Sequence, residues 1–184
     1  AGLVVAAATV LVYLQPIVVD PLFNRFEPLP RGEMRAEVLE LADRSGGDVG
    51  EVYRVDGSRR TTGVNAYVGG LGHTKRVVLY DNLIDDLPPA QVRSVVAHEL
   101  GHVKHRDVPH GLLWIALVAP AAAFLIQRLA ERFAGGRLDR RSKAGPAALP
   151  AVVPAFALVG FALTCAGIFL SRQVEARADA YALE

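Results

Sequence analysis

The residues best suited to chemistry are the pentapeptide His98-Glu99-Leu100-Gly101-His102. In a helix, residues four positions apart lie on one face, so the two imidazoles can bind the same ion. Neutral imidazole nitrogens suit zinc, whose catalytic sites use three protein ligands and keep one position for water. Glu99 lies beside both histidines, where its carboxylate can take a proton from such a water. We therefore expect hydrolytic chemistry with one Zn²⁺ per chain and Glu99 as general base.

The surrounding sequence predicts the helix that this spacing requires. Over residues 90–106, valine and leucine recur at helical intervals and form an apolar face, while the histidines lie on another. Pro89 suits the first helical turn, although Pro88 before it offers no capping side chain. Gly101 costs about 1 kcal/mol relative to Ala, which a close approach by another backbone or by substrate would explain. H-E-x-x-H on a helix is typical of zinc metalloproteases; the alternative is a chance match with two surface histidines.

Composition limits the classes of protein to consider. The 184 residues are enough for one domain with a core, and the net charge of +1 gives no electrostatic case for a nucleic-acid partner. Hydrophobic residues make up 52% of the chain, which is high for a soluble domain. The single cysteine, Cys165, lies in an apolar run, which excludes an intrachain disulfide and disfavours a thiolate metal site. The chain starts at Ala1 and ends in a helical pattern, so we expect a fragment of a longer protein.

Three apolar stretches without charged residues predict contact with a lipid bilayer. Residues 1–19 are expected to form a membrane helix, with a cleaved signal peptide as the alternative. Residues 108–127 and 144–171 are predicted to be two further membrane helices, the first about 30 Å long. A basic loop over 128–143 joins them, and 172–184 continues as a helix. The expected location is the cell membrane, crossed several times; the alternative is a set of buried helices in a large soluble protein.

Residues 20–107 are predicted to be a compact zinc-protease core before the second membrane helix. An amphipathic pattern predicts a helix over 31–44, and alternating residues predict three short strands over 52–56, 64–69 and 76–80. The expected fold class is α+β: a mainly helical membrane protein with a small sheet beside the zinc-binding helix and transmembrane helices.

A catalytic zinc needs a third ligand, and the two later membrane helices suggest where it lies. Because a short loop joins them, the chain returns to the side of the membrane that it left. His102 precedes the first by about 9 Å of helix and Glu175 follows the second by about 6 Å, so both lie near the same membrane face. Asp179, one turn beyond Glu175, could orient a ligand imidazole or exchange roles with Glu175. The alternative is an ordinary charged helix surface.

Several segments besides the zinc helix resemble the CAAX prenyl endopeptidase family of integral-membrane zinc metalloproteases. They are Pro21-Leu22-Phe23-Asn24-Arg25-Phe26, Val55-Asp56-Gly57-Ser58-Arg59-Arg60, Asn65-Ala66-Tyr67, Arg76-Val77-Val78-Leu79-Tyr80-Asp81 and residues 171–179. The resemblance implies that His98, His102 and Glu175 bind zinc, that Glu99 is the general base, and that Asp179 supports a ligand.

The same resemblance implies a substrate-binding strand. Asn65, Ala66 and Tyr67 resemble the strand that pairs with the substrate backbone in related zinc proteases, with a plain sheet strand as the alternative. Family members often carry a histidine just before the Asn-Ala pair, whereas residues 61–64 here are Thr-Thr-Gly-Val. Nothing in the sequence indicates a prenylated substrate.

The expected function is a membrane-embedded endopeptidase that cuts peptide or protein substrates close to the bilayer. The alternatives are a quality-control zinc protease for membrane proteins and a catalytically silent scaffold, which the intact Glu99 disfavours. Orientation is a conflict, because the loop over 128–143 has six basic and two acidic residues and the positive-inside rule would place it in the cytoplasm. The family resemblance implies instead a cytoplasm-facing active site, which is the expectation kept here.

Overall fold

The computed structural model describes residues 20–46, 49–70, 75–135 and 148–183, together with residues 10, 14 and 18. These residues belong to two compact units. The sheet unit contains the described residues up to His110 and those from Val174 onwards, and the helical unit contains those between Gly111 and Gln173. Apart from the three isolated positions, the membrane helix predicted over residues 1–19 lies outside the described residues.

A four-stranded sheet organises the sheet unit. Its strands are β1 (Phe26–Pro28), β2 (Val49–Val55), β3 (Ala66–Gly69) and β4 (Lys75–Tyr80). The spatial order is β1-β2-β4-β3, with β2 and β4 parallel and the two edge strands antiparallel to their neighbours. Val77, Val78 and Leu79 are successive and all fully buried, because the central strand β4 is covered on both faces.

Helices pack on this sheet and position the residues of interest. In the sheet unit they are α1 (Asp20–Phe23), α2 (Glu33–Arg44), α3 (Asp81–Asp86) and α4 (Pro89–Lys104), with a 3₁₀ turn at Gly57–Arg59. Val92, Val96 and Leu100 form the buried stripe of α4 and pack in one core with side chains of α2 and the sheet. Since these positions are four residues apart, residues 98 and 102 lie on a different face of α4.

The helical unit consists of long apolar helices. Helix α5 (Asp107–Ala134) and helix α6 (Leu149–Ala182) begin and end respectively in the sheet unit and run through the helical unit. Both are long and apolar enough to cross a membrane by length and composition. Their large apolar side chains are exposed rather than packed inside the protein, among them Trp114, Leu117, Phe124, Phe156 and Phe161. Exposure of this kind is typical of a surface that faces lipid.

The predicted fold class, α+β and mainly helical with a small sheet, is confirmed, but several boundaries differ. The helix predicted to end at Gln127 continues to Ala134, because residues 128–134 are mostly good helix formers and include an Arg128–Glu131 pair one turn apart. The predicted segments 144–171 and 172–184 form one helix from Leu149. Strand β2 begins three residues earlier than predicted, and β1 and α3 were not predicted because they are very short.

Candidate metal centre

Three electron-pair donors converge beside helix α4. The Nε2 atoms of His98 and His102 lie 3.3 Å apart. The Oε2 atom of Glu175, on the last part of α6, lies 3.3 Å from the first of these nitrogens and 3.8 Å from the second. The structure therefore brings together the three residues that the sequence analysis named as zinc ligands.

The other ring nitrogens are both held by carboxylates. Nδ1 of His98 lies 2.8 Å from Oδ1 of Asp179, and Nδ1 of His102 lies 2.8 Å from Oδ2 of Asp107. A carboxylate can only accept, so each Nδ1 carries the proton and donates it. In neutral imidazoles this leaves both Nε2 atoms with free lone pairs that point toward Glu175. Three acceptors this close repel one another unless a cation lies between them.

The spacing of these donors fits zinc. With metal–ligand bonds of about 2.0–2.1 Å and tetrahedral geometry, neighbouring ligand atoms are about 3.3–3.4 Å apart. Two of the three observed separations are 3.3 Å and the third is 3.8 Å. Two imidazoles and one carboxylate are also the donor set of zinc hydrolases that leave a fourth position open. His98, His102 and Glu175 could hold such an ion without a rearrangement of the helices.

Glu99 lies next to this cluster in a half-buried position. Burial raises the pKa of its carboxyl above the usual value, and the nearby Glu175 carboxylate adds to the increase, while His102 and His98 oppose it. A carboxylate with a raised pKa is a stronger base, which suits a group that must take and return a proton near neutral pH.

Gly101 permits the close approach of the two helices that carry the donors. A Cβ at this position would lie 3.0 Å from the Cα atom of Ala178 and 3.3 Å from the ring of Tyr181. The backbone approach suggested by the cost of this glycine is therefore present. On the next turn of α4, the Lys104 ammonium lies 4.2 Å from the centre of the Tyr181 ring. These contacts hold the last part of α6 against α4, the helix that carries the two histidines.

The predicted substrate-binding residues lie at the edge of the sheet. Ala66 and Tyr67 belong to the edge strand β3, and Asn65 precedes it, with its carbonyl accepting a hydrogen bond from the backbone N–H of Tyr80. Among the strands that the structure describes, β3 has a neighbour on one side only, β4. An edge of this kind can accept another strand.

Comparison with known proteins identifies the family. The profile of peptidase family M48 matches residues 28–184. The chain belongs to peptidase family M48. It is 36% identical over 179 residues to the uncharacterized metalloprotease YhfN of Bacillus subtilis, which covers 95% of this chain and 42% of that protein. It is 37% identical over 143 residues to a CAAX prenyl protease 1 homolog of Oryza sativa, covering 77% of this chain and 31% of the relative.

A solved structure extends the similarity to the fold of this M48 chain. The crystal structure of S. mikatae Ste24p superposes with a TM-score of 0.74 at 26% identity, over 98% of this chain and 46% of that chain. The predicted resemblance to the CAAX prenyl endopeptidase family is confirmed. The chain spans less than half the length of the relatives that it matches. Membership of a metallopeptidase family implies a metal ion, and the cluster of His98, His102 and Glu175 is suited to hold it.

Two residues beside the candidate metal centre, Asp107 and Arg177, were not assigned a role by the sequence analysis. Asp107 places one carboxylate oxygen 2.8 Å from Nδ1 of His102 and the other 3.7 Å from the guanidinium of Arg177. Asp107 reaches this position because the chain turns at Arg106, which has φ +55° in the region that usually favours glycine. Arg106 is neither Gly nor Asn, so its residue type does not indicate a positive φ; Pro109 is compatible with a helix start but does not indicate where Asp107 points.

Proposed function

We propose that this chain forms the core of a zinc-dependent endopeptidase at the membrane, with His98, His102 and Glu175 as zinc ligands and Glu99 as general base. The observation that carries the proposal is the convergence of three acceptor atoms beside a half-buried carboxylate. Membership of family M48 supports it, since that family consists of peptidases.

Each side chain of the site has a separate role in the proposed hydrolysis. When bound, zinc supplies a Lewis acid for the scissile carbonyl and for the attacking water. Glu99 takes a proton from that water and later donates it to the nitrogen of the leaving amine. Asp179 and Asp107 hold the two imidazoles in the tautomer that presents Nε2 to the ion.

Strand β3 is proposed to bind the substrate backbone. Its position at the sheet edge, antiparallel to β4 and adjacent to helix α4, supports this role for Asn65, Ala66 and Tyr67. Main-chain pairing gives affinity with little demand on the substrate sequence. The relatives named CAAX prenyl proteases make a peptide with a prenylated cysteine the first substrate to test.

Replacement of the general base tests the proposal directly. We expect Glu99→Gln to keep its metal but to lose about 10²–10⁴-fold of its activity, because the amide retains the shape and loses the basicity. Metal content and hydrolysis of casein and of prenylated and unprenylated peptides would be measured on the purified protein. Glu33→Gln, an exposed glutamate on α2, is the control. Normal turnover by metal-loaded Glu99→Gln, or no turnover by the wild type, would contradict the assignment.

The site is proposed to face the cytoplasm, and substrates to be cut near the bilayer. The two apolar helices α5 and α6 support a membrane location, while the orientation rests on the family resemblance. A single cysteine at position 142, introduced as Ser142→Cys with Cys165→Ser, reports on which side of the membrane the segment between α5 and α6 lies. Labelling of intact cells by a membrane-impermeant maleimide is expected; protection of this cysteine until the cells are lysed would reverse the orientation.

A further inference from the structure

Two sequence segments that have no part in the metal centre meet in one cleft. The first runs from α1 into β1, and the second contains the 3₁₀ turn at Gly57–Arg59. Together they enclose about 400 Å³. We call this feature the arginine cleft; it is lined by Leu22, Phe23, Asn24, Arg25, Asp56, Arg59 and Arg60.

Specific contacts between the two segments fix the shape of the arginine cleft. The guanidinium of Arg60 donates to the backbone carbonyl of Phe23 at 2.6 Å and also to the side-chain oxygen of Asn24. In return, the backbone N–H of Arg25 donates to the carboxylate of Asp56 at 2.9 Å. Arg60 and Asp56 are thus occupied in building the cleft.

The 3₁₀ turn below the arginine cleft is also held firmly. The Tyr80 ring packs directly on Gly57, where an added Cβ would lie 2.1 Å from a ring carbon. Ser58 donates from its N–H and from its hydroxyl to Asp81, at 2.8 Å and 2.5 Å. The arginine side chains that follow this turn therefore project from a fixed base.

The arginine cleft carries an excess of positive charge, and its Arg25 guanidinium and part of its Arg59 guanidinium are not engaged by the described residues. Three arginines and one carboxylate, Asp56, line the cleft, which gives its lining a net charge of +2, although Arg25 and Arg59 also border a second pocket that contains Glu27 and Asp81. The pKa of Asp56 is lowered, first by the hydrogen bond from the Arg25 N–H, so this carboxylate is ionised at neutral pH. The Arg25 side chain has no hydrogen bond or ion pair to any residue that the structure describes, and the exposed Arg59 contacts only Asp56. A guanidinium presents N–H groups in a planar fork that matches phosphate oxygens, so two arginines lining one cleft suit a phosphate group.

Exposed apolar side chains border the same arginines. Leu22 is 74% exposed and Phe23 is 68% exposed. They follow residues 2–19, an uncharged run long enough to cross a bilayer, so a chain leaving that run is expected at the level of the lipid headgroups. A soluble anion would use the arginines but not the two apolar side chains. A headgroup with its acyl chains would use both.

We propose that the arginine cleft binds the phosphate of an anionic phospholipid through Arg25 and Arg59, while Leu22 and Phe23 contact its acyl chains. This site is separate from the metal centre and does not depend on its proposed chemistry. It would anchor the sheet unit to the membrane surface on the side where α1 begins.

Native mass spectrometry of the purified, delipidated protein tests the proposal with defined lipids. We expect the protein to retain phosphatidylglycerol in preference to phosphatidylcholine. Arg25→Gln should weaken phosphatidylglycerol binding about fivefold, the usual contribution of one basic residue at a lipid surface. The pair Arg25→Gln and Arg59→Gln should weaken it more than tenfold, and Phe23→Ser should weaken the retention of both lipids. Arg31→Gln is the matched control, because Arg31 is exposed and lies outside the arginine cleft.

Three results would overturn the proposal. They are unchanged phosphatidylglycerol binding in Arg25→Gln, an equal loss in Arg31→Gln, and displacement of the lipid by millimolar inorganic phosphate, which would make the ligand a free phosphate. The thermal unfolding temperature, measured on the same samples, should be unchanged in every variant. It therefore reports that each variant is folded, whether or not the metal centre binds zinc.

Discussion

The metal centre and the arginine cleft are both clusters of charged and ring side chains, but they differ in whether hydrogen-bond acceptors are left without a donor. In and beside the arginine cleft, the carboxylates of Asp56 and Asp81 accept from N–H and O–H groups that point at them. In the metal centre, the Nδ1–H groups of the two histidines donate to Asp179 and Asp107. Three acceptor atoms, the two Nε2 atoms and Oε2 of Glu175, are left facing one another. The carboxylates of the first arrangement have their donors in place, whereas the acceptors of the second are suited to hold a cation.

The pKa values of the carboxyls show the same contrast. At Asp81, burial alone would raise the pKa, but hydrogen bonds from Ser58 and from the backbone N–H of Asn82 lower it overall. At Glu99, burial raises the pKa, and the neighbouring histidines only oppose the increase. Asp56 and Asp81 are therefore held in the charged form, whereas the pKa of Glu99 is raised, as the general-base role proposed for it requires.

Removal of one of the three converging acceptors should have the largest effect on the difference between the two clusters, because it should weaken metal binding and leave the arginine cleft intact. Among the described residues, Glu175 alone places a carboxylate oxygen within 4.0 Å of both Nε2 atoms. We therefore expect Glu175→Ala to lower metal affinity by more than about 100-fold, beyond the loss typical of a supporting residue. Zinc content after dialysis against a weak chelator would be measured by atomic absorption. Asp81→Ala is the contrasting control, because it removes the hydrogen bonds from Ser58 and should leave zinc content unchanged. Full zinc content in Glu175→Ala would place the third ligand elsewhere.

The two supporting carboxylates should differ in effect because they differ in exposure. The Asp107 side chain is 13% exposed and that of Asp179 is 70% exposed. Water can replace Asp179 more easily, so we expect Asp107→Asn to weaken zinc binding about 100-fold and Asp179→Asn about 10-fold. Competition with a fluorescent chelator gives both affinities, with the exposed Asp43→Asn on α2 as control. If the two variants lost equal zinc affinity, or if Asp179→Asn lost more, the burial of each carboxylate would not determine how much it contributes to zinc binding.

Local pattern was enough to predict helix α4 and the common face of His98 and His102, since both depend on helical periodicity alone. The position of Glu175 needed an argument about how membrane helices return the chain. The structure places Glu175 beside His98 and His102, and its role as a ligand remains a prediction.

Features that depend on an unmarked turn could not be predicted. The support from Asp107 depends on the positive φ of Arg106, a residue type that gives no turn signal. The contact with Arg177 depends on the packing of a helix far along the chain. The arginine cleft likewise joins segments over thirty residues apart through side-chain contacts to backbone groups, which have no sequence periodicity.

Substitution of Gly101 by Ala should have a smaller effect, and it should change both the free energy of unfolding and, through the position of Glu175, the activity. In Gly101→Ala, the gain in helix propensity of about 1 kcal/mol opposes the cost of pressing a methyl group onto the Ala178 backbone, about 1–3 kcal/mol. We expect a net loss of at most about 2 kcal/mol in the free energy of unfolding. Glu175 on α6 must then move by a few tenths of an ångström relative to the histidines. Because misplacement by 1 Å can cost 10²-fold, we expect activity to fall about fivefold.

The matched control for Gly101→Ala is Gly111→Ala on α5, where an added Cβ meets nothing within 4 Å. That variant gains the same helix propensity without a displacement, so its activity should equal that of the wild type. Thermal unfolding and kcat/KM would be measured for both at matched zinc content. In the arginine cleft, the headgroup affinity should be unchanged in either variant, because neither position lines it. If Gly101→Ala were fully active, the close approach of Ala178 would not set the position of Glu175, and the spacing of the three acceptors would have to be maintained by the metal itself.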